Sequence, residues 1–158
     1  MTHDHPNVRT VKAVLADAGV HGEVVVLPDS APTATAAATQ LGCDVGAIAN
    51  SLVFDADGQP VLVLTSGAHR VDTTYLADAL GLASLRRASP AFVRAHTGQA
   101  IGGVAPVGHP TRIRTVVDTW LGRHDTVWAA AGHPHTVFPT TFAELLRLTG
   151  GEPSAVAP

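Results

Sequence analysis

The residues best suited to chemistry lie in two distant stretches of the chain, at 48–54 and 101–109. The first, Ile-Ala-Asn-Ser-Leu-Val-Phe, predicts a strand that is entered through the polar residues Asn50 and Ser51. The second, Ile-Gly-Gly-Val-Ala-Pro-Val-Gly-His, predicts a loop whose adjacent glycines let a ligand approach the backbone closely. The N–H groups of such glycines can stabilise the oxyanion that forms when an ester carbonyl is attacked. An ordinary surface turn between a helix and a strand is the alternative for this loop.

Histidine is frequent in the chain, with nine residues. His109 ends the glycine-rich stretch and is a candidate general base. His133 and His135 flank a proline in a later loop and raise a metal hypothesis, but no suitably spaced carboxylate is nearby. The sequence therefore predicts no metal site, and exposed loop histidines are the simplest interpretation.

The familiar hydrolytic signatures are absent from the sequence. It contains no Gly-x-Ser-x-Gly, no His-Glu-x-x-His and no Gly-x-x-x-x-Gly-Lys-Ser/Thr. A classical serine esterase, a zinc protease and a phosphate-loop enzyme are therefore not expected. The single cysteine, Cys43, excludes an internal disulfide and a cysteine-cluster metal site, and we expect it to be a buried thiol. No cofactor is predicted.

The composition predicts one globular domain in the cytoplasm. A chain of 158 residues with 46% hydrophobic residues can bury a sizeable core. No apolar run approaches the ~20 residues of a membrane helix, and the first residues lack the features of a signal peptide. The net charge of −3 does not support broad contact with a nucleic-acid backbone, so an RNA substrate would be held only at its end.

Arginines form two small local groups, Arg86-Arg87 and Arg112/Arg114. A solvated strand face is one interpretation of these groups. The other is contact with phosphates at the end of an RNA, which would position the RNA without reading its sequence.

The helices and strands that must position these residues follow one another along the chain without a strict alternation. This order favours an α/β (mixed α+β) fold with a mixed β-sheet surrounded by helices. Apolar periodicity and capping residues predict helices at 7–18, 33–41, 71–80 and 89–96, and a last one that begins at Thr140 or Thr141 and ends before Gly150. β-Branched runs predict strands at 23–27, 48–54, 60–65, 85–88, 113–117, 127–131 and 136–138, with a hairpin turn near Asp57-Gly58. Residues 1–151 form a single predicted domain, and 152–158 a disordered tail.

Six patterns occur in order within residues 33–149. They are Thr-Ala-Ala-Ala-x-x-Leu-Gly at 35–42, Ile-x-Asn-Ser-Leu at 48–52, Leu-x-x-Gly-x-x-Arg-Val-Asp at 64–72, Gly-x-x-x-Pro at 102–106, Val-Asp at 117–118 and Ala-Gly-x-x-x-Thr-Val-Phe at 131–138. In this succession the chain resembles the YbaK/prolyl-tRNA-synthetase-associated domain family, which hydrolyses wrongly charged aminoacyl-tRNA. The resemblance implies the fold of that family over residues 1–151.

The resemblance also implies a free-standing aminoacyl-tRNA deacylase that removes a small amino acid, a reaction called trans-editing. Its partners would be the acceptor end of the tRNA and, as a further candidate, a synthetase, without a membrane or a cofactor. The implied pocket lies between the 48–54 strand and the 102–108 loop, with Gly102 and Gly103 nearest the ester carbonyl and Asn50 as the third catalytic residue. The implied substrate-binding or supporting residues are Ser51, Val104, Pro106, Gly108, His109, Asp118 and Gly132.

Two residues of the strand depart from the family pattern. Asn50 stands where the family usually has lysine, and Ala47 stands where glutamine is common. Asparagine keeps two donors and an acceptor but loses the charge. Removing one group that stabilises transition-state charge costs ~2.7–4 kcal/mol, or roughly 10²–10³ in rate. Two hypotheses therefore stay open: an active deacylase, and a weakened or inactive module that binds the acceptor end or an aminoacyl nucleotide.

Overall fold

The strands lie in one mixed sheet, in the order β1-β7-β6-β2-β3-β5-β8, and β4 pairs separately with β2. The computed structural model describes residues 5–20 and 22–158, and these contain all eight strands. The strands are β1 (Val25–Val26), β2 (Ile48–Ala56), β3 (Gln59–Ser66), β4 (Arg86–Arg87), β5 (Arg114–Asp118), β6 (Val127–Ala130), β7 (Thr136–Thr140) and β8 (Glu152–Ser154). The pairs β2–β6, β3–β5 and β5–β8 are parallel, and the other pairs are antiparallel.

The five helices begin and end largely where the capping residues predict. They are α1 (Pro6–Asp17), α2 (Ala34–Leu41), α3 (Thr73–Leu80), α4 (Pro90–Thr97) and α5 (Phe142–Thr149). The residue before each of α2 to α5 caps the helix, because its side-chain oxygen accepts the backbone N–H three residues later, which has no partner within the helix. These capping residues are Thr33, Asp72, Ser89 and Thr141. A left-handed glycine follows each of these helices. Two short 3₁₀ turns, Val45–Ala47 and Thr119–Arg123, were not predicted.

The β2–β3 hairpin is tighter than the sequence predicts. Its turn consists of Asp57 and Gly58 alone, both at positive φ (51° and 91°), as a type I′ turn requires. The Asp55 carboxylate accepts the N–H of Gly58 at 2.6 Å. Because such a turn matches the twist of its strands, the pairing continues without interruption from the turn to Ala49 and Ser66.

The other edge of β2 is shared by two strands and is incomplete. β6 pairs with Ile48 and Ala49, and β4 pairs with Phe54 and Asp55. Residues 50–53 lie between these partners and pair with β3 alone. The sheet therefore has a gap at Asn50–Val53, and we use "the gap" for this segment below.

Apolar side chains cover both faces of the central strands. Val53, Leu62 and Leu64 belong to a cluster that includes residues of α1, α4 and α5, whereas Phe54 and Val63 pack on the side of α3. Since side chains alternate along a strand, Asn50 projects to the α3 face and Ser51 to the opposite face. Within the part of the chain that the structure describes, no helix is both long enough and apolar enough to cross a membrane.

The prediction of a disordered tail at 152–158 is wrong. β8 pairs in parallel with β5, and the carbonyl of Val156 accepts the N–H of Asp72 at 2.9 Å. Glu152 forms an ion pair with Arg114, and the hydrogen bond from Arg114 is the main reason that the pKa of Glu152 is lowered. Exposed ion pairs of this kind contribute little to the stability of a fold. The Val156 side chain is only 1% exposed and packs beside α3, so its burial is the main reason that this segment is ordered.

Replacing Val156 by alanine tests how the tail is held. We expect a loss of roughly 2 kcal/mol in the free energy of unfolding, because two buried carbon atoms are removed and a cavity is left. The exposed neighbour Ala155 provides the control, and Ala155→Ser should change stability by less than about 0.5 kcal/mol. Urea unfolding measures both variants. Equal stability of Val156→Ala and the unchanged protein would contradict this packing.

Candidate active site at the gap in the sheet

Two clefts meet at the gap. The first has a volume of about 260 Å³ and lies between the start of α2, β6 and the 101–104 loop. The second, of about 640 Å³, lies between β4, the 69–73 segment and the same loop. The residues that border both clefts are Asn50, Ser51, Leu52, Arg87, Ile101 and Val104. The structure thus brings the two chemistry-bearing stretches of the sequence together.

The gap presents two polar side chains that have no partner. The Ser51 hydroxyl is buried and forms no hydrogen bond. The Asn50 carboxamide is half-buried, and among the described residues it has no hydrogen-bond partner either. Buried polar groups are normally hydrogen-bonded, so unpaired ones at a cleft are suited to receive a ligand.

The 101–104 loop supplies one free glycine amide instead of the two expected. Gly102 has a φ of +91° at the third position of a turn in which Gly103 donates its N–H to the Ala100 carbonyl at 3.0 Å. This contradicts the expected oxyanion role of the Gly103 amide. Among the described residues no acceptor receives the N–H of Gly102, and Gly102 borders the first cleft.

Gly103 has a packing role. A Cβ atom at this position would lie 2.8 Å from the backbone carbon of His133 and 2.9 Å from Pro134 Cδ. Real Cβ atoms do not approach backbone so closely. Glycine therefore lets the 101–104 loop lie directly on the 131–135 loop.

A buried glutamine that the sequence analysis missed holds the loop from inside. Gln99 is 2% exposed, and its side-chain oxygen accepts the N–H of Ala105 at 2.7 Å. The Thr97 hydroxyl accepts the N–H of Gln99 in turn. An isolated glutamine after a helix carries no periodic signal, so only the folded path of the loop reveals this role.

The second half of the glycine-rich stretch, residues 105–109, lies away from the clefts at the gap. Ala105 and Val107 are buried in the core, so the chain passes through it and emerges at a third cleft of about 330 Å³. Pro106, Gly108 and His109 border this third cleft, and none of them borders a cleft at the gap. The expected place of these three residues beside Asn50 is therefore wrong, whereas Val104 borders both clefts at the gap.

The His109 ring forms a hydrogen bond with the backbone of its own loop. Its Nε2 atom lies 2.8 Å from the Ala105 carbonyl, and burial lowers the pKa of the ring. A lowered pKa keeps the imidazole neutral, as a base must be. However, His109 borders the third cleft and neither cleft at the gap, which argues against a role at Asn50.

The 131–135 loop supports the site from behind. The backbone of Gly132 approaches α1, where an added Cβ would lie 3.0 Å from the Asn7 carbonyl, so Gly132 packs and does not border a cleft. Burial and the neighbours His5 and His135 lower the pKa of His133. Within residues 5–20 and 22–158 no group of three or more His, Cys, Asp or Glu side chains is arranged to hold a metal.

Asp118 lies behind the second cleft, buried at 1% exposure. Its carboxylate accepts the N–H groups of Ser66 and Trp120, each at 2.9 Å. His69, a residue to which the sequence analysis gave no role, contacts the same carboxylate and borders the second cleft.

The arginines fall into different environments. Arg87 is exposed and borders both clefts at the gap, so it places a positive charge beside them. Arg112 borders the third cleft, and Arg114 is paired with Glu152. Of the two basic groups in the sequence, only the one on β4 is placed to contact an anion at the gap.

Substituting Gln99 by methionine tests the internal support of the loop. Methionine has a similar volume but no acceptor, so the buried N–H of Ala105 loses its partner and stability should fall by about 1–3 kcal/mol. The exposed amide of Gln59 is the matched control, and Gln59→Met should change stability by less than about 0.5 kcal/mol. Urea unfolding and the amide hydrogen exchange of Ala105 check both. Unchanged exchange in Gln99→Met would contradict the assigned bond.

Comparison with known families and proteins identifies relatives over most of the chain. A family model described as an aminoacyl-tRNA editing domain matches residues 28–148. YwhH of Bacillus subtilis (strain 168), an uncharacterized protein, is 29% identical over 140 residues, which are 88% of each chain. A proline–tRNA ligase of Lysinibacillus sphaericus (strain C3-41) is 38% identical over 71 residues, which are 45% of this chain and 12% of the ligase. The match thus covers only a small part of the ligase.

Solved structures share the fold over nearly the whole chain. A candidate trans-editing enzyme for prolyl-tRNA synthetase is 41% identical with a TM-score of 0.87, covering 96% of this chain and 97% of its own. The hypothetical protein APE2540 is 26% identical with a TM-score of 0.85, covering 93% and 98%. These likenesses confirm the mixed α/β fold that the sequence predicts.

Proposed function

This chain belongs to the aminoacyl-tRNA editing domain family, and from that premise we propose that it is a free-standing deacylase for a small amino acid wrongly esterified to tRNA. The observation that carries the proposal is the gap, where the uncommitted groups of Asn50, Ser51 and Gly102 border one cleft. Enzymes need such editing because one methylene group discriminates between amino acids by only ~1–3 kcal/mol.

The first cleft suits a small side chain. One part of its wall is apolar and contains Ala31, Ala34 and Ala37 beside Ile48 and Val137, and the volume of the cleft is only about 260 Å³. An alanine-sized group would fill part of this space, whereas a bulky aromatic group would leave little room for the ester and the ribose. The cleft therefore supports a substrate with a small, uncharged side chain.

The polar groups around that cleft can act on the ester. The N–H of Gly102 can donate to the carbonyl oxygen as it becomes negative, and the Asn50 amide can donate a second hydrogen bond. The Ser51 hydroxyl is available to a ribose hydroxyl, and Arg87 can attract a phosphate of the acceptor end. A water molecule can then attack the carbonyl without a covalent intermediate on the protein.

The second candidate is a binding module that holds the acceptor end without hydrolysis. The uncharged Asn50 favours it, because a neutral amide stabilises negative charge less than the ammonium group usual at this position. Both functions use the same cleft, so only a measurement of ester hydrolysis distinguishes them.

A deacylation panel tests the proposal. Purified protein is incubated with alanyl-, cysteinyl-, seryl- and prolyl-tRNA, and we expect release of at least one small amino acid above a buffer control. Asn50→Ala should lower kcat/KM by about 10²-fold if the amide stabilises the oxyanion. Gln59→Ala, which removes an exposed amide far from the gap along β3, should leave the rate unchanged.

The outcomes separate the two candidates. Binding without release would establish the binding module, and an Asn50→Lys variant that gained hydrolysis would show that lysine alone was missing. Neither binding nor release with any of the four tRNAs would contradict both functions.

A further inference from the structure

We propose that His69, oriented by the buried Asp118, is the general base and then the general acid of this site. The inference rests on the proposed deacylase function and assigns a residue that acts on the water and on the leaving group. It rests on an Asp–His pair at the wall of the second cleft, in which His69 Nδ1 lies 2.8 Å from Asp118 Oδ2.

The Asp118 carboxylate is held in one orientation. One oxygen, Oδ1, accepts the N–H of Trp120 at 2.9 Å, and the other, Oδ2, accepts the N–H of Ser66 at 2.9 Å and the Thr65 hydroxyl at 3.3 Å. A buried carboxylate requires such donors, and here two come from adjacent residues of β3 and one from the turn that follows β5. Asp118 is therefore a fixed acceptor for the histidine.

This acceptor selects the tautomer of His69. The Nδ1 atom of His69 lies 2.8 Å from Asp118 Oδ2. In the neutral imidazole this contact places the hydrogen on Nδ1 and the lone pair on Nε2. Among the described residues nothing forms a hydrogen bond with Nε2. The free nitrogen is thus in the form that accepts a proton.

The ring is also held from the side. The His69 and Trp120 rings lie 4.7 Å apart between centroids, and the Arg123 guanidinium lies over the Trp120 ring, 3.4 Å from its centre. The histidine side chain remains partly exposed, at 27%, toward the solvent and the cleft. A supported ring with one accessible nitrogen is suited to proton transfer.

The strand register places this pair beside Asn50. Asn50 is opposite Thr65 in the β2–β3 ladder, and Thr65 contacts Asp118 on β5, so the three side chains form a row on the α3 face. Two strand spacings of about 4.8 Å separate Asn50 from Asp118. His69 contacts Asp118 and borders the second cleft, which Asn50 also borders. Within residues 5–20 and 22–158, His69 is the histidine that borders a cleft at the gap.

The step balances as an ester hydrolysis. Nε2 of His69 takes a proton from water while the water oxygen forms a bond to the acyl carbon, and the carbonyl electron pair moves to its oxygen near the Gly102 N–H. The tetrahedral intermediate then breaks its bond to the ribose oxygen, which takes the proton from Nε2. The products are the free amino acid and the tRNA with its terminal hydroxyl, and His69 returns to its starting form.

Chemical rescue tests this role. His69→Ala should lower kcat for deacylation by about 10²-fold or more with little change in KM, since general acid–base groups contribute about 10²–10⁴. Added imidazole should restore part of kcat in a saturable way, which a structural role would not produce. His96→Ala, which removes a histidine that contacts Phe92 on α4, should keep the full rate and show no response to imidazole.

The melting temperature of each variant is measured in parallel, and His69→Ser, which also leaves room for imidazole, replaces His69→Ala if the latter does not fold. If the unchanged protein and the His69 variant deacylate at the same rate, the inference is overturned and the deacylase function stays intact. A folded variant that loses activity but does not respond to imidazole would also overturn it. An unchanged protein without activity on any aminoacyl-tRNA would instead remove the proposed function on which this role rests.

Discussion

The incomplete pairing of β2 is the constraint on which the site depends. β6 covers the first part of its edge and β4 the last part, so four residues between them keep a free side toward two clefts. A continuous partner strand there would fill the space that a ligand needs. The hairpin with β3 holds this segment along one edge although its other edge is open, because all eight residue pairs of that ladder are formed. Backbone that is already ordered before a ligand arrives lowers the entropic cost of binding.

The 101–104 loop borders the gap without pairing with β2 as a strand, and it is held there by close packing. Gly102 adopts a left-handed conformation, Gly103 lies on the backbone of the 131–135 loop, and Gln99 fixes the far side through Ala105. Of the two glycine amides, this arrangement leaves that of Gly102 for a ligand, since Gly103 donates to Ala100. In the proposed reaction, the neutral Asn50 and the neutral Gly102 amide would stabilise negative charge by oriented dipoles. Arg87 is the cation that borders both clefts.

Local chemistry allowed much of the fold to be predicted from the sequence. The Thr33, Asp72, Ser89 and Thr141 caps and the Asp57-Gly58 turn are short-range signals, and each lies within about a residue of its predicted place. The long-range features were missed, because they depend on how distant segments meet. The tail is ordered by the burial of Val156 near α3, and the path of residues 105–107 through the core carries His109 away from Asn50. His69 belonged to a recognised pattern, but only the register across β2, β3 and β5 shows that it borders the same cleft as Asn50.

The most direct measurement is a crystal structure with a non-hydrolysable 3′-alanylamido analogue of the terminal adenosine. If the gap is the catalytic site, the acyl oxygen will lie about 2.7–3.1 Å from the Gly102 nitrogen, with the methyl group in the alanine-lined cleft. Binding of the analogue at the cleft of Gly108 and His109, or at Asn50 with its carbonyl turned away from Gly102, would contradict the assignment of the gap as the place where the ester is cleaved.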